Sequence, residues 1–126
     1  MSELNISWDS RVINLEDAMI RVLGRKDMYK RWLDTFFNDD GFDLINEAFE
    51  KKDHEAAHRS MHKLKGTAGN LSVAAVYEQA KLIDDKLKTN ADFDSLSCEL
   101  EKLREYFYFA KKMYESNINY IMSYEG

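Results

Sequence analysis

The chain has 126 residues, with no proline, five glycines and a single cysteine. Hydrophobic residues make up 44% and charged residues 33%, the balance of a globular chain and not of a disordered one. The missing proline and scarce glycine argue against a β-sandwich or barrel and for long helices, and the net charge of −5 argues against a nucleic-acid partner, which needs a broad basic surface. No apolar run approaches the roughly 20 residues of a membrane span. The opening MSELNISWDS lacks the basic and apolar regions of a secretory signal. Cys98 has no second cysteine to pair with, which fits a reducing, cytoplasmic compartment. The length predicts one domain over residues 1–126, with 1–13 as a lead-in anchored by Trp8, Val12 and Ile13.

Asn14 reads as an N-cap, with Glu16 and Asp17 suiting the dipole of the first turn. Leu15, Ala18, Met19, Val22 and Leu23 follow at helical spacing, and Gly24 is expected to end that helix. A second helix is predicted from about Asp27 to Asn38, with an apolar stripe of Met28, Tyr29, Trp32, Leu33, Phe36 and Phe37. The polar run 38–41 reads as a turn, and Phe42, Leu44, Ile45, Ala48 and Phe49 as a short third helix. The fourth helix runs from Asp53, its N-cap, to Asn70, and buries Ala57, Met61, Leu64, Ala68 and Leu71. The fifth spans about Ser72 to Lys88, with Val73, Val76, Ala80, Ile83 and Leu87 on one face, and Thr89 to Asp92 form a turn. The last and longest helix carries Leu96, Leu100, Leu103, Phe107, Ala110, Tyr114 and Ile121, with Asn117 in one slot. The fold expected is all-α: an antiparallel four-helix bundle with short additional N-terminal helices.

All three histidines, His54, His58 and His62, fall on the fourth helix. At about 100° per residue, His62 lies about 160° from Leu64, His58 about 120° and His54 about 80°. His62 is therefore expected to face solvent. Gly66 and Gly69 follow it one and two turns later on the same face. Glycine inside a helix costs about 1 kcal/mol relative to alanine. The reason available is clearance, letting another protein approach the imidazole. Lys65 and Arg59, three residues to either side, add positive charge.

The stretch His62-Lys63-Leu64-Lys65-Gly66 resembles the H-x-L-K-G motif of histidine-containing phosphotransfer (HPt) domains. The surrounding AAHRSMHKLKGTAGNLSVAAV, and upstream LEDAMIRVLGRKDMYKRWLDTFF, are similar to the same family, so the resemblance runs from about Leu15 to the last helix. It implies a phosphoryl carrier of two-component phosphorelays. His62 would accept the phosphoryl group reversibly from a receiver-domain aspartate and pass it to another receiver. Lys65, Gly66, Gly69, His58 and Arg59 are expected to contact the phosphoryl group or the partner. The implied partners are response-regulator receiver domains and a hybrid sensor histidine kinase. Mg²⁺ is expected on the receiver, and no cofactor or metal on this chain, which is expected to act as a monomer. The family often has glycine ten residues after the histidine. Ser72 stands there instead and is expected to keep the turn by capping the fifth helix. No phosphate-binding glycine loop is present, so ATP chemistry is not expected of this chain.

Two other readings belong beside this one. Three histidines at i, i+4 and i+8 can suit a metal, although no cysteine or fixed acidic ligand accompanies them. A non-catalytic adaptor would use the aromatic-rich last helix through Tyr106, Phe107, Tyr108, Phe109 and Tyr114, the first four of which cover every side. Trp8 and Trp32 read as core or lid residues, and Cys98 as inert.

Overall fold

The computed structural model describes residues 6–125, so the first five residues of the predicted lead-in lie outside the description. Among the described residues seven α-helices follow in order: α1 Leu15–Arg21, α2 Lys26–Asn38, α3 Gly41–Glu50, α4 His54–Asn70, α5 Ala74–Lys88, α6 Ser97–Ser116 and α7 Ile118–Met122. A 3-10 turn, Asp94–Leu96, leads into α6. Among the described residues there is no strand. The bundle is built from the successive α2 and α3, then α4, α5 and α6, with short connections that run neighbours antiparallel. One short helix, α1, precedes it, and another, α7, packs against α2 at the far end of the chain.

The helix starts follow the predicted caps. Asn14 Oδ1 accepts from Asp17 N at 3.0 Å, and Asp53 Oδ1 from Ala56 N at 3.1 Å. Gly41, expected in a turn, is instead the first residue of α3, its N–H held at 2.9 Å by Asp39 Oδ1.

The helix ends reveal a device that the scarcity of glycine hides. Four helices, α1, α3, α4 and α5, each finish with a residue of positive φ that is not glycine: Leu23, Lys52, Ser72 and Asn90. In each, the next residue's N–H reaches back to a carbonyl five residues earlier, for example Val73 N to Ala68 O at 2.9 Å and Asp53 N to Ala48 O at 3.0 Å. This is the Schellman pattern, in which a left-handed residue lets two orphan carbonyls be satisfied. Leu23 therefore takes the terminating position expected of Gly24, which follows it with φ also positive. Ser72 does not cap α5. Its φ of 59° explains why glycine suits this position, and its hydroxyl donates to Asp17 Oδ2 at 2.6 Å, tying the α4–α5 turn to α1.

The core centres on Phe107 of α6, against which Phe36 and Phe37 of α2 and Phe42 of α3 pack with ring centroids 5.2–5.5 Å away. Tyr29 of α2, fully buried, donates to Leu71 O at 2.6 Å and so fixes the C-terminal end of α4. Two expectations need correcting here. Trp32 is 43% exposed and no core residue, because the buried face of α2 spans only Tyr29, Leu33, Phe36 and Phe37. At about 100° per residue Trp32 lies beyond its edge. The last helix also breaks at Asn117, whose backbone leaves helical geometry. Its side chain donates to Ile6 O at 2.6 Å and Met113 O at 2.8 Å, trading helix continuity for a clasp on the N-terminal segment. Trp8 lies in that segment, its ring 5.2 Å from that of Tyr120.

Candidate functional site

The apolar stripe of α4 is buried as its periodicity predicts: Ala57, Met61, Leu64, Ala68 and Leu71 all lie in the core. That fixes the helix's rotation and turns His62 outward, with 61% of its side chain exposed. Its Nδ1 lies 3.2 Å from Oδ2 of Asp84, a residue of α5 with no exposed side-chain surface. A carboxylate can only accept, so the contact requires hydrogen on Nδ1. The free ring nitrogen is then Nε2.

Asp84 is the residue that the sequence reading missed. It gathers Lys65 Nζ at 3.2 Å and Lys88 Nζ at 3.7 Å on Oδ2, and His58 Nε2 at 3.2 Å from Oδ1. Burial alone pushes its carboxyl up. Hydrogen bonds from His62 and Lys65, with the charge of Lys65 and the nearby His58, outweigh that and hold it below the ordinary 3.8. A signal did exist. Val76, Ala80, Ile83 and Leu87 are the buried face of α5, and Asp84 follows Ala80 by one turn, at the edge of that face. A carboxylate placed there demands a cation, and Lys65 of α4 and Lys88 of α5 supply it.

The other residues singled out from the sequence fall into distinct places. Lys65 is only 19% exposed and is committed to Asp84, beneath the imidazole instead of free beside it. Arg59 is exposed on the opposite flank of α4, where its Nη1 lies 3.5 Å from Glu55 and it borders a cavity of about 270 Å³ with Lys63, Leu44 and Phe36. A Cβ built on Gly66 would meet nothing within 4 Å, so the surface beside His62 is open there. Gly69 is different. A Cβ on it would lie 3.0 Å from Cδ1 of Tyr77, so this glycine admits a ring from α5.

His54 stands apart from the other two histidines, its ring edge-on to Phe93 with centroids 5.9 Å apart. Among the described residues no three His, Cys, Asp or Glu side chains are grouped to hold a metal ion. The two ammonium groups on Asp84 would oppose a cation there. Of the aromatics on α6, Phe107 and Tyr114 are buried, while Tyr106, Tyr108 and Phe109 are exposed. Cys98 is exposed near the start of the same helix. Among the described residues no helix is long and apolar enough to cross a membrane.

The family model for the Hpt domain matches residues 32–107, more than half of the chain and all of the cluster around His62. The HPT domain from an Hpt sensor hybrid histidine kinase of Shewanella has a similar crystal structure, with a TM-score of 0.65 and 19% identity. The likeness covers 85% of this chain and 97% of that one, and at this identity it is a likeness of fold. No curated protein matches the sequence significantly.

Proposed function

The chain belongs to the Hpt domain family, a family of phosphorelay phosphocarriers, and we propose on that footing that His62 is the residue that carries the phosphoryl group. The observation behind this reading is the pairing of an exposed imidazole with a buried carboxylate: Asp84 engages Nδ1 and leaves Nε2 facing outward. An imidazole with hydrogen on Nδ1 has its lone pair on Nε2, and a neutral imidazole is a competent nucleophile near neutral pH.

In the proposed reaction, Nε2 attacks the phosphorus of a receiver's phosphoaspartate in line. The N–P bond forms as the bond to the aspartyl oxygen breaks, and the aspartate leaves as a carboxylate. The ring, still holding its Nδ1 hydrogen, acquires positive charge. Asp84 accepts from that nitrogen and stabilises the charge, much as a carboxylate steadies an imidazolium elsewhere. Positioning and electrostatics carry most of such a transfer. Lys65 and Lys88 add positive charge beneath the arriving phosphoryl group, and open space at Gly66 lets the receiver approach. The step is reversible, so the group passes on to a second receiver, each receiver bringing its own Mg²⁺. A hybrid sensor histidine kinase fits as the upstream source. We read the protein as a cytoplasmic monomer that uses neither ATP nor nucleic acid.

The test is incubation with a phosphorylated receiver domain. The proposal expects acid-labile, base-stable phosphate on this chain, absent from His62→Gln. Failure of a folded wild-type chain to take phosphate from any receiver offered would favour the adaptor reading, for which the exposed Tyr106, Tyr108 and Phe109 are the relevant surface.

A further inference from the structure

We propose that His58 is a positioning residue for phosphoryl transfer at His62, acting through Asp84; the inference rests on the reading of His62 as the acceptor. His58 sits one turn before His62 on α4, with ring centroids 6.1 Å apart. Its Nε2 and Asp84 Oδ1 are 3.2 Å apart, and both atoms are buried. Neither has any aligned hydrogen-bond partner. The distance suits a hydrogen bond and only the alignment is missing. Two orphan atoms of complementary character therefore face each other across the helix interface, and a small turn of either group joins them.

The two oxygens of Asp84 are loaded unequally. His62 Nδ1, Lys65 Nζ and Lys88 Nζ all converge on Oδ2, while His58 alone approaches Oδ1. An aspartate carboxylate turns easily about its last torsion, which has a broad, two-fold profile. Without a donor at Oδ1, the carboxylate gains by rotating so that one lysine serves each oxygen. Oδ2 then leaves the line to Nδ1. His58 is the one donor that opposes this rotation, so it decides which oxygen meets His62 and how firmly Nδ1 holds its hydrogen. It touches neither the phosphoryl group nor Nε2 of His62.

The test uses the full chain and two readouts. Nitrogen-15 spectra of the histidine rings at about pH 8 report the fraction of His62 with hydrogen on Nδ1. Transfer from a receiver domain phosphorylated by acetyl phosphate reports the rate. His58→Ala is expected to lower the Nδ1–H fraction and slow transfer by about threefold to tenfold, the span that one net hydrogen bond carries. His58→Gln places an amide N–H near the position of Nε2 and is expected to restore both. His58→Leu keeps the bulk without the donor. It is expected to behave as His58→Ala, and it replaces that variant if His58→Ala fails to fold. Wild-type tautomer and rate in the variants lacking the donor would overturn the proposal. Equal losses in His58→Gln would also overturn it, since they would mark a steric role. The tautomer measurement needs no activity, so it decides the matter even if His62 proves not to be the acceptor.

Discussion

Gly69 on α4 and Tyr77 on α5 pack so closely that a Cβ at residue 69 would lie 3.0 Å from the tyrosine ring. The neighbouring Gly66 has nothing within 4 Å of the same point. Two glycines on one helix face thus have different surroundings, one against a ring of the next helix and one facing open space. Replacing Gly66 with alanine is expected to raise stability by up to about 1 kcal/mol, the usual gain inside a helix. Gly69→Ala earns the same helical gain but must displace Tyr77, so it is expected to fall below Gly66→Ala by about 1–3 kcal/mol. Denaturant melts of the two variants make the comparison.

Gly66→Leu separates access from stability. Position 66 is exposed and leucine is a better helix former than glycine, so the melting temperature is expected to stay level or rise. Transfer from a phosphorylated receiver is expected to fall by about tenfold or more, because a side chain one turn from the imidazole holds the two reacting groups apart. Measuring both properties on one sample tests this. Wild-type transfer with a normal melt would remove clearance as the reason for this glycine.

Asp84→Asn is expected to slow transfer by about tenfold or more, since an amide can offer Nδ1 either its oxygen or its NH2, so it no longer dictates the tautomer, and it has no charge to stabilise an imidazolium. It also predicts a pH effect. The carboxyl of Asp84 is held below its ordinary 3.8 in the folded protein. Its contribution to stability is therefore full above that value and disappears as pH falls through the lower, folded one. Asp84→Asn is expected to melt below the parent at neutral pH, where it leaves Lys65 without its carboxylate. The gap should narrow below about pH 4. Melting temperatures across pH 2–7 give the answer, and a gap that stays constant would show that the carboxylate's charge is irrelevant.

Lys52 and Ser72 occupy the same left-handed position at the ends of α3 and α4, but only Ser72 has a close side-chain partner. The nearest ion pair of Lys52 is a 3.9 Å approach to Asp94, with both side chains largely exposed. Lys52→Gly is expected to stabilise by about 1 kcal/mol, because glycine takes positive φ without the Cβ penalty. Ser72→Gly gains the same on the backbone and loses the 2.6 Å bond to Asp17, so it is expected to be near neutral. That bond, together with Arg21, holds the Asp17 carboxyl below its ordinary value. Proton titration of Asp17 by NMR should therefore move upward in Ser72→Gly and stay unmoved in Lys52→Gly.

The fourth helix was legible in the sequence almost to the residue, since Asp53 is a strong cap and the buried stripe from Ala57 to Leu71 has a clean period. That rotation alone turns His62 to solvent. Asp84 was not legible in the same way because its meaning is tertiary. It lies 22 residues from His62 on another helix, beside the exposed Asp85, and reads as part of a solvated acidic pair. Only its phase against Ala80 and Ile83 sets it apart. The Tyr77 ring packed against Gly69 was not legible for a related reason: helix phase on α4 alone does not register a side chain that comes from α5. The break at Asn117 follows from a clasp to Ile6 more than 100 residues away, which local periodicity does not register.

In the proposed transfer Nε2 of His62 bears the phosphoryl group while Nδ1 stays with Asp84. The direct measurement is phosphorus–nitrogen coupling by NMR in nitrogen-15 histidine-labelled protein, after phosphorylation by a receiver domain. One phosphoramidate signal is expected, coupled to Nε2 of His62 and absent from His62→Gln. A phosphoryl group coupled to Nδ1 of His62, or to either nitrogen of His58 or His54, would contradict it.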